Sequence, residues 1–199
     1  MSNSAASARK RPAKDRLLVA RHGSMVVVRV EGLGHMALAP GLNEFVNQCF
    51  DSRCRQVLID MADCSGIDST FMGTMVGLAA ELNGLAHEEN IGFVSPSHGA
   101  GDAELPDADR AWVAVVNSSP ANCECLRTLG ADRFITISGA KDLSGLAMDP
   151  LEVRDLSRRE RIEVIRKAHE TLVDTDDRNR AKFGAFLDAL KAEIGGATT

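Results

Sequence analysis

Tyrosine is absent from this 199-residue chain, and tryptophan occurs once, at Trp112. Aromatic platforms for stacking single-stranded bases are therefore missing. A surplus of cations is missing too: 23 Lys and Arg stand against 28 Asp and Glu, a formal net charge of −5. Direct nucleic-acid binding as the main activity is excluded on that ground, because neutralising phosphates takes clustered Lys and Arg. No apolar run approaches the roughly 20 residues that cross a bilayer, so membrane insertion is not expected. Residues 1–14 are small and polar, with a few basic residues and no apolar stretch of the signal-peptide kind, and are expected to form a disordered arm. The five cysteines, Cys49, Cys54, Cys64, Cys123 and Cys125, are odd in number and irregular in spacing. That pattern suggests reduced thiols and a cytoplasmic protein.

Signatures of cofactor and metal chemistry are also missing. Cys123-x-Cys125 is the one close thiol pair, and zinc asks for a second such cluster. The histidines, His22, His35, His87, His98 and His169, are scattered without ligand spacing. Gly32-Leu33-Gly34 lacks the third Gly and the Lys-Ser/Thr of a phosphate loop. Ser69 stands in no Gly-x-Ser-x-Gly context. No cofactor and no enzymatic activity are expected.

What is present is an ordinary globular composition, 44% hydrophobic and 26% charged, in a length that suits one domain with an appendage. Residues 16–30 read as two strands around His22-Gly23-Ser24, with Val26, Val28 and Val30 on one face. Gly32-Leu33-Gly34 reads as a breaker. Pro40 then suits the first turn of a helix carrying Leu42, Phe45, Val46 and Cys49 on one stripe. Residues 56–61 read as a buried strand. A turn over residues 63–66 leads to a long helix whose core stripe is Met72, Met75, Val76, Ala79 and Leu82. A short strand is expected over 91–94, an exposed loop over 96–111 and a central strand over 112–116. A helix over 120–129, stopped by Gly130, and a strand over 134–137 complete the pattern. The order β-β-α-β-α-β-α-β implies an α/β fold, a mixed sheet with packed helices, spanning residues 15–138.

A Gly- and Pro-containing linker is expected over 139–156. Ser157-Arg158-Arg159-Glu160 has capping-box spacing. Ile162, Ile165 and Leu172 make one stripe, with Ala168 and His169 between them, and Phe183, Phe186, Leu187, Leu190 and Ile194 make a second. Residues 157–195 are thus expected to form a helical hairpin. A hairpin this small cannot bury both stripes alone, so it packs on the sheet domain or forms a homodimer through a second copy. Its charged positions suit either a solvated face or a docking surface.

The segment 63–77, Asp-Cys-Ser-Gly-Ile-Asp-Ser-Thr-Phe-Met-Gly-Thr-Met-Val-Gly, carries the functional signal. Asp68, Ser69 and Thr70 sit where a helix begins, among unpaired N–H groups and a partial positive charge. One reading is capping, for which these residue types are preferred. The other is a modifiable hydroxyl at the tip of the domain, where a phosphate would bring nearly two negative charges. Spacing does not separate them, and a capping residue can also be modified.

The element order and this segment resemble the anti-sigma-factor antagonist branch of the STAS family, whose hallmark is Asp-Ser-Ser/Thr-Gly-Leu-Gly at the start of the second helix. The resemblance covers residues 16–137. It aligns Asp68 with the first Asp, Ser69 with the first hydroxyl and Thr70 with the phosphorylated second hydroxyl. Phe71 replaces Gly, Met72 replaces Leu and Gly73 keeps the last Gly. The resemblance implies partner switching. The unmodified protein would bind an anti-sigma factor that is also a serine/threonine kinase, phosphorylation would break the complex, and a serine/threonine phosphatase would restore it. Asp68, Ser69, Thr70, Phe71, Met72 and Gly73 would form the partner face. Gly73 would admit close backbone approach, and Phe71 and Met72 would be apolar anchors if exposed. Met72 also opens the core stripe and suits burial. Two alternatives stand beside this: a STAS scaffold or subunit of a transporter or signalling assembly, and a small-anion-binding module using the helix N-terminus. The loop and the hairpin lie outside the resemblance.

Overall fold

The computed structural model describes residues 15–94, 96 and 104–196. The expected arm at 1–14, residues 97–103 of the expected loop and the side chain of Ile194 lie outside the described residues.

The first two strands, β1 (Arg16–His22) and β2 (Met25–Gly34), pair antiparallel around a turn in which Gly23 has φ +61°. That left-handed conformation is open to glycine without steric cost. Helix α1 (Ala39–Asp51) starts at Ala39-Pro40, where the missing proline N–H costs no helical bond. It leads into β3 (Gln56–Asp60), parallel to β2. A short β4 (Cys64–Ile67) pairs parallel with the end of β2, and α2 (Ser69–Glu88) follows. Then come β5 (Trp112–Val116), α3 (Pro120–Thr128), a single 3-10 turn over Ala131–Arg133 and β6 (Thr136–Ile137). A two-residue β7 (Asp149–Pro150) precedes α4 (Arg158–Thr175) and α5 (Arg178–Gly196). The strands form one mixed sheet in the order β6-β5-β3-β2-β1-β7, with β4 beside β2. The α/β fold expected from the sequence, with a C-terminal helical hairpin, is the fold observed.

The pleat divides the sheet's side chains between two faces. Val26, Val28, Val30, Val57, Ile59, Val113 and Val115 face α1 and α2, whose Leu42, Val46, Phe71, Met75, Val76 and Leu82 complete the main core. Val27, Leu58, Trp112, Ala114 and Val116 line the opposite face, roofed by Leu105, Leu143, Leu146 and Met148. A residue run that alternates between two apolar cores has no polar side, which is why β3 and β5 read as continuous hydrophobic strands.

Local differences from the sequence reading are few. Gly32-Leu33-Gly34 continues β2 and pairs with β4, where a breaker and a turn were expected. Residues 91–94 form one bridge, Phe93 to Ala111, instead of a strand. The strand expected over 134–137 is reduced to Thr136–Ile137 because the 3-10 turn takes the residues before it. Part of the expected linker is tied to the sheet: β7 pairs with Leu18 and Val19, and the Leu151 amide donates to the Leu17 carbonyl.

Candidate functional site

The site is built at the junction of β4 and α2. Asp68 is the N-cap of α2, with extended backbone (φ −90°, ψ 168°). One of its carboxylate oxygens accepts from the Phe71 amide at 2.7 Å and the other from the Met36 amide at 2.8 Å. Its own amide donates to the Gly34 carbonyl at 2.9 Å. Asp68 therefore satisfies an orphan donor of the helix and ties down the β2–α1 connection. It also occupies the place an anion would take: the Phe71 amide already has a carboxylate partner. The small-anion alternative loses a donor by this.

Ser69 and Thr70 open the helix. The Ser69 hydroxyl lies 2.9 Å from His169 Nε2 on α4, a residue 100 positions away in sequence. The other ring nitrogen of His169, Nδ1, lies 2.8 Å from the Ile165 carbonyl. A carbonyl only accepts, so Nδ1 carries a proton, and in the neutral form of the ring Nε2 is the acceptor for Ser69. The imidazole is 5% exposed and sits edge-on to Phe183 (4.7 Å) and Phe186 (5.1 Å) of α5.

Four of the residues expected to form a partner face, Thr70, Phe71, Met72 and Gly73, are buried. Phe71 is 0% exposed, with its ring close against Gly34, and Met72 is buried. Phe71 is therefore not an exposed anchor, and Met72 takes the burial that its place on the core stripe suits: α2 buries both as it buries Met75 and Val76. Thr70, the second hydroxyl, is 5% exposed, so it does not stand open at the tip of the domain. Helix α4 lies across the opening of α2. A Cβ placed on Gly73 would collide with the Ala168 carbonyl oxygen, and one on Gly77 would lie 3.9 Å from the Thr171 hydroxyl. Gly73 does admit a close backbone approach, and the backbone that approaches belongs to this chain.

Exposed positions ring the site instead: Asp63, Ser65 and Leu33, the last 41% exposed. Cys64 is buried beneath them, and desolvation pushes its thiol above the ordinary range, offset in part by hydrogen bonding with the Gly66 and Gly34 backbone. Beside the crossing, a groove of about 770 Å³ runs between α1, α2 and α4, lined by Pro40, Val76, Ala80, Phe134 and Val164 among others. Neither Ser69 nor His169 lines it. Among the described residues, the imidazole of this Ser–His pair is oriented by the Ile165 carbonyl and not by a carboxylate. Among the described residues, no three His, Cys, Asp or Glu side chains converge as a metal-holding group, and no helix is long and apolar enough to cross a membrane.

His169 is the residue that sequence reasoning missed as a participant. It lies on the stripe of α4, yet nothing in its local sequence names Ser69 as its partner.

No protein-family model and no curated protein sequence matches the chain. Several solved structures are similar to it, among them the two that follow. One is a protein from Thermotoga maritima (tm1081) assigned as an anti-sigma factor antagonist, 12% identical, covering 63% of this chain and 86% of that one at a TM-score of 0.45. The other is the anti-sigma factor antagonist SpoIIAA in its unphosphorylated form, 14% identical, covering 75% of this chain and 96% of that one at a TM-score of 0.42.

Proposed function

We propose that this chain is a non-catalytic regulatory protein of the anti-sigma-factor antagonist kind, acting in the cytoplasm through the opening of α2. Its partner is an anti-sigma factor that is also a serine/threonine kinase. Phosphorylation of Thr70, or of Ser69 in its place, breaks the complex, and a serine/threonine phosphatase restores it. The observation that carries this reading is the Asp68 cap: it starts α2 so that two hydroxyls and Gly73 follow within its first turns, in the order the STAS motif has them. A phosphate there adds about 1.5 to 2 negative charges to a desolvated contact. Losing about 3 kcal/mol at that contact weakens binding more than a hundredfold.

The test is affinity capture of wild type beside Thr70→Ala and Thr70→Glu, followed by intact mass after incubation with ATP. Wild type is expected to hold a serine/threonine kinase and to gain one phosphate. Thr70→Ala is expected to hold the kinase without gaining phosphate, and Thr70→Glu to lose the kinase. Retention of the complex by Thr70→Glu contradicts the reading; loss of phosphate in Ser69→Ala alone moves the site to Ser69. The burial of Thr70 favours a second reading, a STAS scaffold in which that hydroxyl is a packing contact. Capture of transporter subunits in place of a kinase identifies that case.

A further inference from the structure

We propose that the α4–α5 hairpin is a displaceable lid on α2, and that the external partner replaces it with a helix of the same design. That helix presents a small residue over Gly73 and a hydrogen-bonding side chain toward Ser69. The proposal rests on the reading of the α2 opening as the partner face, and it names the regulation of that face and the shape of what binds there.

Four observations support a lid in place of a permanent core element. First, the crossing is built from small side chains: Gly73 meets the Ala168 backbone and Gly77 meets Thr171, so close approach is gained with little apolar area. Second, a groove of about 770 Å³ stays open beside α4, with the exposed Ala80 of α2 on its wall, where a core contact would be filled to crystal-like density. Third, the main core is drawn almost wholly from residues 17–137; among its buried members only Leu172 belongs to the hairpin, with Val164 and Phe183 partly buried against it. Fourth, docking carries a polar cost. Asn179, fully buried at the start of α5, donates to the Leu129 and Leu172 carbonyls, but its own side-chain oxygen has no hydrogen-bond partner among the described residues. A buried acceptor left unpaired weakens the docked state relative to one in which water reaches it.

The latch is the Ser69–His169 hydrogen bond, clasped by Phe183 and Phe186. It joins the lid to one of the two hydroxyls on which the switch depends. Adding a phosphate to Ser69 displaces the imidazole, and Thr70, 5% exposed, must be uncovered before it is modified. Modification and lid opening are therefore one coupled equilibrium.

Native-state hydrogen exchange on the full chain tests this without knowledge of the partner. In wild type, the amides of α4 and α5 are expected to exchange through an opening of their own, at least about tenfold more populated than the opening that frees the β3 and β5 amides. His169→Ala is expected to raise the hairpin opening by roughly another tenfold, the worth of one buried hydrogen bond, while leaving the sheet amides unchanged. One shared opening for hairpin and sheet in both proteins overturns the lid. A separate hairpin opening in a chain that captures no kinase supports the lid and leaves the switch reading to fail alone.

Discussion

Two glycines of α2 predict opposite effects of one added methyl group. Gly84 is exposed, with nothing within 4 Å of the position that methyl would take, so Gly84→Ala is expected to stabilise the chain by roughly 0.5–1 kcal/mol through helix propensity. Gly73→Ala sets the same methyl against the Ala168 backbone and is expected to cost about 1–3 kcal/mol. Urea denaturation of the two variants checks both signs, and equal midpoints would contradict the packing described. Asp68→Ala removes a cap and a tether together, the bonds to Phe71 and Met36, and is expected to lower stability by about 1–2 kcal/mol. An unchanged midpoint in that variant would mean that the cap contributes nothing. At this scale the sequence was unevenly legible. The Asp68 cap could be read because cap residues and helix starts are local. The burial of Thr70 and the pairing of Ser69 with His169 could not, because both depend on tertiary packing, and His169 stands 100 residues away in sequence.

The hairpin carries its own acid-sensitive element. Ser157 accepts from the Glu160 amide, and the Glu160 carboxylate accepts from the Ser157 amide at 2.8 Å and from Arg154 at 2.8 Å. Hydrogen bonding from Ser157, and then from Arg154, holds the Glu160 carboxyl down at about 2, against an ordinary value of 4.5. A lowered folded-state value means stabilisation that is complete above about 4.5 and is lost as the pH falls through about 2. The stability difference between wild type and Glu160→Gln is therefore expected to shrink as pH is lowered from 5 to 2, read by circular dichroism during urea unfolding. A difference that is flat across that window contradicts the capping box. At the other end of α4, Arg178, through its side-chain hydrogen bond, holds the Asp176 carboxyl well below the carboxylate range. Phe186 of the second stripe is 43% exposed, but the capping box and most of the two helical stripes were legible, being periodic and locally signalled. Strands β4 and β7 were not: four residues and two residues carry no period, and each exists only because a longer neighbour, β2 or β1, offers an unpaired edge.

For the whole molecule, the sheet with its layer of helices accounts for the core, and the hairpin decides what the α2 face can do. Ser69 is bonded to His169 of α4 and Thr70 is 5% exposed, so the proposed switch hydroxyls form an open binding surface only if the hairpin is removable. The lid can be held shut without altering residues 68–73. Gly77 and Thr171 face each other closely enough that Gly77→Cys with Thr171→Cys, in a Cys125→Ser background, should bridge α2 to α4 under oxidation. The decisive measurement is phosphate gained by this variant, oxidised and reduced, with ATP and the captured serine/threonine kinase. A removable lid predicts that the reduced chain is phosphorylated like wild type and the bridged chain is not. Equal phosphorylation of the two forms would contradict it.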